Sequence, residues 1–212
     1  MKMNSRGILV VLSGFSGAGK GTIVKRLLKD YDRYAVSVSA TTRSPRPDEK
    51  EGEAYFFKTV QEFESKIKDG AFIEYAQYVD NYYGTPRACV EEQLAAGKDV
   101  ILEIEIQGAL RVKEQFPDAV MLFVVTKDAE TLKERLTGRG TESEEIINGR
   151  LARAVQEAEG IGAYDYLIVN DDLDACVEKV HALIGTEHCR VSRNMDFIKK
   201  MQAEMGRFVK GE

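Results

Sequence analysis

The stretch GFSGAGKGT, Gly14 to Thr22, follows an apolar run from Ile8 to Leu12 and leads into a segment with apolar residues at helical spacing. A compact apolar strand that runs through a glycine loop into a helix suits a buried strand of a parallel sheet. Gly14, Gly17, Gly19 and Gly21 lack side chains, so backbone N–H groups can converge on phosphate oxygens. Phe15, Ser16 and Ala18 complete the loop. The N-terminus of the following helix adds partial positive charge, and Lys20 adds a point charge for outer phosphates. A plain glycine-rich turn is the competing reading, and the lysine argues against it. A dinucleotide-binding glycine pattern fails, because the last position counted from Gly17 is Thr22. The general P-loop also places Ser or Thr directly after the lysine. Here that residue is Gly21 and the hydroxyl comes one position later, on Thr22. That offset suits a magnesium ion held mainly by phosphates and water.

Further strand-like runs are VILEIEI at 100–106, AVMLFVV at 119–125 and DYLIVN at 165–170. Helical patterns lie between them, at Lys20–Asp30, after Thr85-Pro86 up to a stop at Gly97, after Asp128, and from Asp171 to Ile184. Thr85 reads as an N-cap with Pro86 in the first turn. The alternation predicts an α/β fold with a parallel sheet core flanked by helices, of the P-loop NTPase type. Residues 35–84 break the rhythm with several short strands and one helix near 59–68. They predict an inserted mixed-strand subdomain. Residues 138–160, rich in Arg and Glu, predict a helical lid, and Gly149 in its interior costs about 1 kcal/mol relative to Ala.

The insertion carries its own chemistry. Arg43 and Arg46 with Tyr55 could clamp one monophosphate, because guanidinium forks match phosphate geometry. A solvated basic turn is the alternative. Glu74 sits in the apolar, aromatic stretch FIEYAQYVDNYYGT, where a buried carboxylate needs donors. Guanine offers adjacent N–H donors on N1 and N2, and the hydroxyls of Ser39 and Thr85 could serve its O6. A salt bridge to a nearby Lys or Arg is the structural alternative for Glu74.

Taken in order, SGFSGAGKGT, SVSATTRSPRP, GEAYFF, FIEYAQYVDNYYGTP, RLTGRGTES and IVNDD make the chain resemble a bacterial-type guanylate kinase, from about Arg6 to about Gly185. The resemblance implies ATP and GMP as substrates, with dGMP a further candidate acceptor, and Mg²⁺ with the ATP. It implies that Gly14–Thr22, Arg135, Arg139, Asn170 and Asp171 serve ATP. It assigns Ser39, Glu74, Thr85 and Glu103 to GMP, and Arg43, Arg46, Tyr55 and Tyr83 to its phosphate. Lys20, Arg43, Arg139 and Arg150 would act in catalysis, with Thr22 and Glu103 toward the metal through water. Many family members have Asp-Ile-Asp where this chain has Glu103-Ile104-Glu105, and strand alternation predicts that both carboxylates share a face. The implied layout is a core of 1–34, 86–137 and 161–185, a GMP-binding subdomain at about 35–85, a lid at about 138–160, and an extension at 186–212. A non-catalytic guanylate-kinase-like binding module and a kinase for another acceptor are the competing functions. Retention of Lys20, Arg139 and Arg150 weighs against the first, and a carboxylate at position 74 against the second.

The formal net charge of −5 gives no broad basic surface for nucleic acid. The apolar run near the N-terminus is too short for a membrane span or signal core, which points to a cytoplasmic protein without a membrane partner. Cys89, Cys176 and Cys189 show no CxxC spacing, so ordinary thiols are expected, and His188-Cys189 is not a ligand set. The tail places Val191, Met195, Ile198, Met205 and Val209 near one stripe, which predicts an amphipathic helix. It would pack on its own domain or form a homodimer or higher homo-oligomer.

Overall fold

The structure, a computed structural model, describes residues 6–78, 80–138 and 143–210. The first half runs β1 (Leu9–Gly14), α1 (Lys20–Asp30), β2 (Tyr34–Val36), β3 (Ala40–Thr41), β4 (Phe56–Phe57), α2 (Val60–Lys68), β5 (Phe72–Tyr78) and β6 (Asn81–Pro86). It continues through α3 (Arg87–Ala95), β7 (Asp99–Glu103), α4 (Ile106–Gln115), β8 (Val120–Val125) and α5 (Ala129–Thr137). The remainder is α6 (Glu144–Glu159), β9 (Tyr166–Val169), α7 (Leu173–Glu187) and α8 (Met195–Lys210).

Five strands form a parallel sheet in the order β2-β7-β1-β8-β9. Alternate residues of the first apolar run face opposite layers. Ile8, Val10 and Leu12 pack with Ile23 and Leu27 of α1 and Val177 and Val180 of α7. Leu9 and Val11 pack with Val90 and Leu94 of α3 and Ala109 and Val112 of α4. Burial on both faces explains why β1 and β8 are almost wholly apolar. The second sheet, β4-β3-β6-β5, is mixed and is built from the insertion. Its own small core stacks Phe63 of α2 on Phe72 and on Tyr82. Helix α6 starts at an N-cap, with Ser143 Oγ accepting from the Ile146 N–H, and carries Glu144 and Glu145 in its first turn, where the helix dipole favours negative charge. Ile147 and Ala154 of α6 pack on Leu132 and Leu136 of α5, with Phe15 of the glycine loop alongside.

Three expectations change. The run 100–106 is a strand only to Glu103. The Ile104 carbonyl turns to accept from Ser13 Oγ at 2.7 Å, and Glu105 becomes the N-cap of α4. The two glutamates therefore do not alternate along one strand. Thr85 is not a helix cap either. Pairing of β6 with β5 runs as far as Pro86, so α3 starts at Arg87 with Pro86 as its N-cap. The tail is the predicted helix, but Met201, Met205 and Phe208 are exposed, so packing onto its own domain holds only near its start. Gly149 does lie inside α6, and a Cβ built there meets nothing within 4 Å. Among the described residues no helix is long and apolar enough to cross a membrane.

The end of α7 is tied to the sheet by a buried carboxylate. Asp99, fully buried at the start of β7, accepts from the Ile8 N–H, Arg33 Nε and His188 Nε2, each at 2.8 Å. His188 is thus engaged by Asp99 rather than paired with Cys189, and the three cysteines are free thiols. Removing the carboxylate leaves the buried Ile8 N–H without its acceptor, at a cost of about 1–3 kcal/mol, while Arg33 and His188 stay partly exposed to water. Asp99→Ala is expected to lose about 2 kcal/mol in urea unfolding followed by circular dichroism, at the end of the sheet remote from the glycine loop. A loss below about 1 kcal/mol would mean that the cluster does not anchor the tail.

Candidate active site

The glycine loop is held rigid from below. Gly14 ends β1 at φ 148°, where a Cβ would lie 2.2 Å from the Val124 carbonyl oxygen of the neighbouring strand. Gly19 caps α1 at φ 94°, and a Cβ there would lie 2.4 Å from Asn170 Nδ2. That amide donates to the Ala18 carbonyl at 2.7 Å, so buried Asn170, at the end of β9, braces the loop from its inner side. Lys20 Nζ donates to the carbonyls of Gly14 (2.7 Å) and Phe15 (3.2 Å), which keeps the ammonium at the loop mouth. Arg150 crosses from α6, and its Nη1 donates to Ser16 Oγ at 2.6 Å. A cavity of about 510 Å³ lies between the loop and α6, lined by Gly14, Ser16 and Lys20 on one side and Gly149, Arg150 and Glu157 on the other. Arg135, Lys127 and Asp171 are not in that lining but sit together: Lys127 pairs with the Asp171 carboxylate at 3.5 Å, and Arg135 reaches the Asp171 carbonyl. Arg139 lies outside the described residues.

A second cavity of about 360 Å³ opens against the mixed sheet, with Ser39, Tyr55, Glu74 and Tyr83 in its lining. A register shift between Phe72 and Glu74 sets Glu74 directly across from Thr85. Such bulges re-aim a side chain next to a site. The Thr85 hydroxyl donates to Glu74 Oε1 at 2.6 Å, so its proton serves the carboxylate rather than a ligand atom. The other oxygen, Oε2, lies 3.1 Å from where a Cβ on Gly108 would stand, so glycine at 108 makes room for the carboxylate. Burial pushes the Glu74 carboxyl above its usual range, Glu105 adds to this, and the Thr85 hydroxyl and Arg111 oppose it. Arg43 lies over Tyr55, 5.4 Å from the ring centre, and Tyr55 meets Tyr83 at 6.1 Å. The guanidinium is held by both oxygens of Glu49 at 2.9 Å. That hydrogen bond, with a second from the Arg46 N–H, lowers the Glu49 carboxyl. The Arg46 residue itself is exposed.

Both cavities share one wall, Glu103-Ile104-Glu105. Glu103 points at the glycine loop: its carboxylate oxygens lie 3.5 and 3.6 Å from where a Cβ on Gly21 would be. The space beside residue 21 is therefore filled by a carboxylate, where the general P-loop has a hydroxyl. Protein packed around the Glu103 carboxyl raises it, and Lys20 and Lys25 lower it. Glu105 points instead to the lid, with Oε2 2.6 Å from Arg153 Nη2. Thr22, in the first turn of α1, is exposed. The described residues hold no group of three His, Cys, Asp or Glu that could bind a metal ion. Glu49, Gly108 and Arg153 escaped the sequence reading. Gly108 meets Glu74 and Arg153 meets Glu105 across long stretches of chain, and Glu49 meets Arg43 only six residues back, in a loop with no apolar periodicity.

A braced glycine loop with its lysine, an arginine helix folded across it and a second cleft on the same wall define a P-loop phosphotransferase. The chain belongs to the guanylate kinase family, whose family model, "Guanylate kinase", matches residues 6–187. It is 48 % identical over 204 residues to a guanylate kinase of Caldanaerobacter subterraneus subsp. tengcongensis, covering 96 % of this chain and 99 % of that one. It is 50 % identical over 199 residues to a guanylate kinase of Oceanobacillus iheyensis, covering 94 % and 97 %. The solved guanylate kinase from Anaplasma phagocytophilum superposes with a TM-score of 0.75 at 29 % identity, over 96 % of this chain and 98 % of that one.

A carboxyl whose value is raised by folding favours the folded state when protonated, and that contribution is lost as pH rises through the raised value. The Glu74 charge therefore works against folding at neutral pH. Glu74→Gln is expected to melt at the same or a higher temperature than the parent at pH 7, with the difference shrinking below about pH 4, where the carboxyl is protonated in both states. A clearly lower melting temperature at pH 7 would contradict this balance.

Proposed function

We infer that this chain transfers the γ-phosphoryl group of ATP to GMP, giving ADP and GDP, with ATP in the cleft between loop and lid and GMP in the cleft of the mixed sheet. The observation that carries the assignment of the two clefts is their common wall at Glu103–Glu105, which lets donor and acceptor meet. ATP-dependent phosphoryl transfer to GMP follows from membership of the guanylate kinase family.

In this reading the Gly14–Thr22 backbone and Lys20 take the β- and γ-phosphates of ATP, with Arg135 and Asp171 at the outer rim. Glu74 takes guanine N1 and N2, held in orientation by Thr85, and Ser39 serves O6. Arg43, Tyr55, Tyr83 and Arg46 take the GMP phosphate, with Arg43 exchanging Glu49 for it. An oxygen of that phosphate attacks the γ-phosphorus in line; the new O–P bond forms as the bond to the β–γ bridging oxygen breaks, and ADP leaves with that electron pair. No general base is needed, because the attacking phosphate is already anionic. Negative charge spreads over the equatorial oxygens, and Lys20, Arg43 and Arg150 are the groups that face it. The lid excludes water, which would otherwise accept the phosphoryl group.

The donor set suits Mg²⁺: one carboxylate, Glu103, and one hydroxyl, Thr22, flank the loop, fitting an ion that keeps most of its waters and is held chiefly by the nucleotide. When bound there, the ion would neutralise charge on the β- and γ-phosphates.

The test is ADP release on the purified chain with ATP, Mg²⁺ and, in turn, GMP, AMP, CMP and UMP. Fast turnover is expected with GMP alone; no turnover with any acceptor would overturn the assignment. Arg150→Ala should lower kcat by about 10³-fold while changing the KM for GMP little. Glu74→Gln should raise that KM by about 10–100-fold, the loss of hydrogen bonds to a charged group.

A further inference from the structure

Arg150 and Arg153 stand one turn apart on α6, so both side chains leave the same region of the helix. Arg150 reaches the glycine loop at Ser16. Arg153 reaches the opposite wall, with Nη2 2.6 Å from Glu105 Oε2, and its Nε bonds Glu157 Oε1 at 3.1 Å. We propose that Arg153 is a positioning residue that couples the lid to the acceptor cleft by holding α6 to the Glu105 carboxylate in the wall both clefts share. The proposal rests on reading those clefts as the donor and acceptor sites.

Three observations carry it. Glu105 is the N-cap of α4 but its side chain makes no cap hydrogen bond, so the carboxylate is turned toward the lid instead of its own helix. Gly108, in the first turn of the same helix, lies against Glu74, so any shift of this turn is felt at the acceptor carboxylate. Glu157, the second partner of Arg153, faces the donor cleft and feels the Lys20 charge. Without Arg153 the Glu105 and Glu157 carboxylates would repel each other and an incoming polyphosphate. The Arg153 and Glu105 side chains are 45 % and 61 % exposed, and an ion pair so exposed contributes little to stability. Its effect should appear in the communication between the two clefts.

The experiment measures the Kd of GMP by calorimetry with and without a non-hydrolysable ATP analogue, in the parent chain, Arg153→Gln and Arg153→Lys. In the parent, the analogue is expected to tighten GMP about fivefold or more, the lower end of typical coupling between sites. Arg153→Gln should weaken the analogue alone, because Arg153 lines its cleft, and should also reduce the ratio of the two GMP Kd values to about twofold or less, while the melting temperature stays unchanged. Arg153→Lys, which keeps the charge, should retain part of the coupling. The proposal is overturned if Arg153→Gln keeps the parent coupling, if the parent shows none, or if the variant only lowers the melting temperature. Failure of the parent chain to turn over ATP and GMP would sink the assignment of the clefts itself. Parent turnover with coupling unaltered in Arg153→Gln would sink the role of Arg153 alone.

Discussion

Parallel pairing of β1 with β7 is the constraint on which the site depends. In that register Leu12 lies beside Glu103, so the glycine loop and the wall of the second cleft emerge from the same edge of the sheet. Ser13 Oγ fixes the junction by donating to the Ile104 carbonyl, just where β7 ends and the chain turns into α4. Open α/β sheets place ligands outside the carboxyl ends of their strands for this reason: loops and helix N-termini gather there. Here two helix N-termini, those of α1 and α4, flank one wall. The first follows the glycine loop and the second places Gly108 against the Glu74 carboxylate.

The apolar interior is divided in a way that suits such a site. Two large cores lie on the two faces of the parallel sheet, and two small ones lie elsewhere. The lid helix belongs to a small core shared with α5 and Phe15, and the mixed sheet has another built on Phe63. Elements with little buried apolar surface open at low cost, and moving parts are drawn from them. Helix α6 and the mixed sheet have less apolar surface holding them than the five-stranded sheet, with its two large cores. The charges follow the same division. Asp99 is buried beneath Arg33 and His188 at the remote end of the five-stranded sheet, Arg43–Glu49 is a half-buried pair within the insertion, and Arg153–Glu105 joins α6 to the shared wall through an exposed pair.

The replacement of a hydroxyl by Gly21 becomes intelligible in the same setting. The Glu103 carboxylate occupies the space beside residue 21, close to Lys20 and Lys25. The carboxylate arrives at the loop from the end of the neighbouring strand β7. The acidic group comes from tertiary contact, and the loop itself needs only to leave room.

The sequence by itself determined the α/β class, the glycine loop between strand and helix, the inserted strands, a helix within 138–160 and the family, because apolar periodicity and glycine chemistry are local and the motifs sit in fixed order. It also placed Glu74 correctly among apolar neighbours, since an isolated carboxylate in such a stretch must find donors. Tertiary structure alone decided what those carboxylates meet. Pairing of β5 with β6 gave Glu74 the Thr85 hydroxyl in place of a lysine or arginine. The early end of β7 separated Glu103 from Glu105, sending one to the loop and the other to the lid. Asn170 became a brace for the loop, and His188 found Asp99 across 89 residues of sequence. Hydrogen bonds between segments far apart in the chain leave no periodicity to read, and their partners exist only once the strands have found their register.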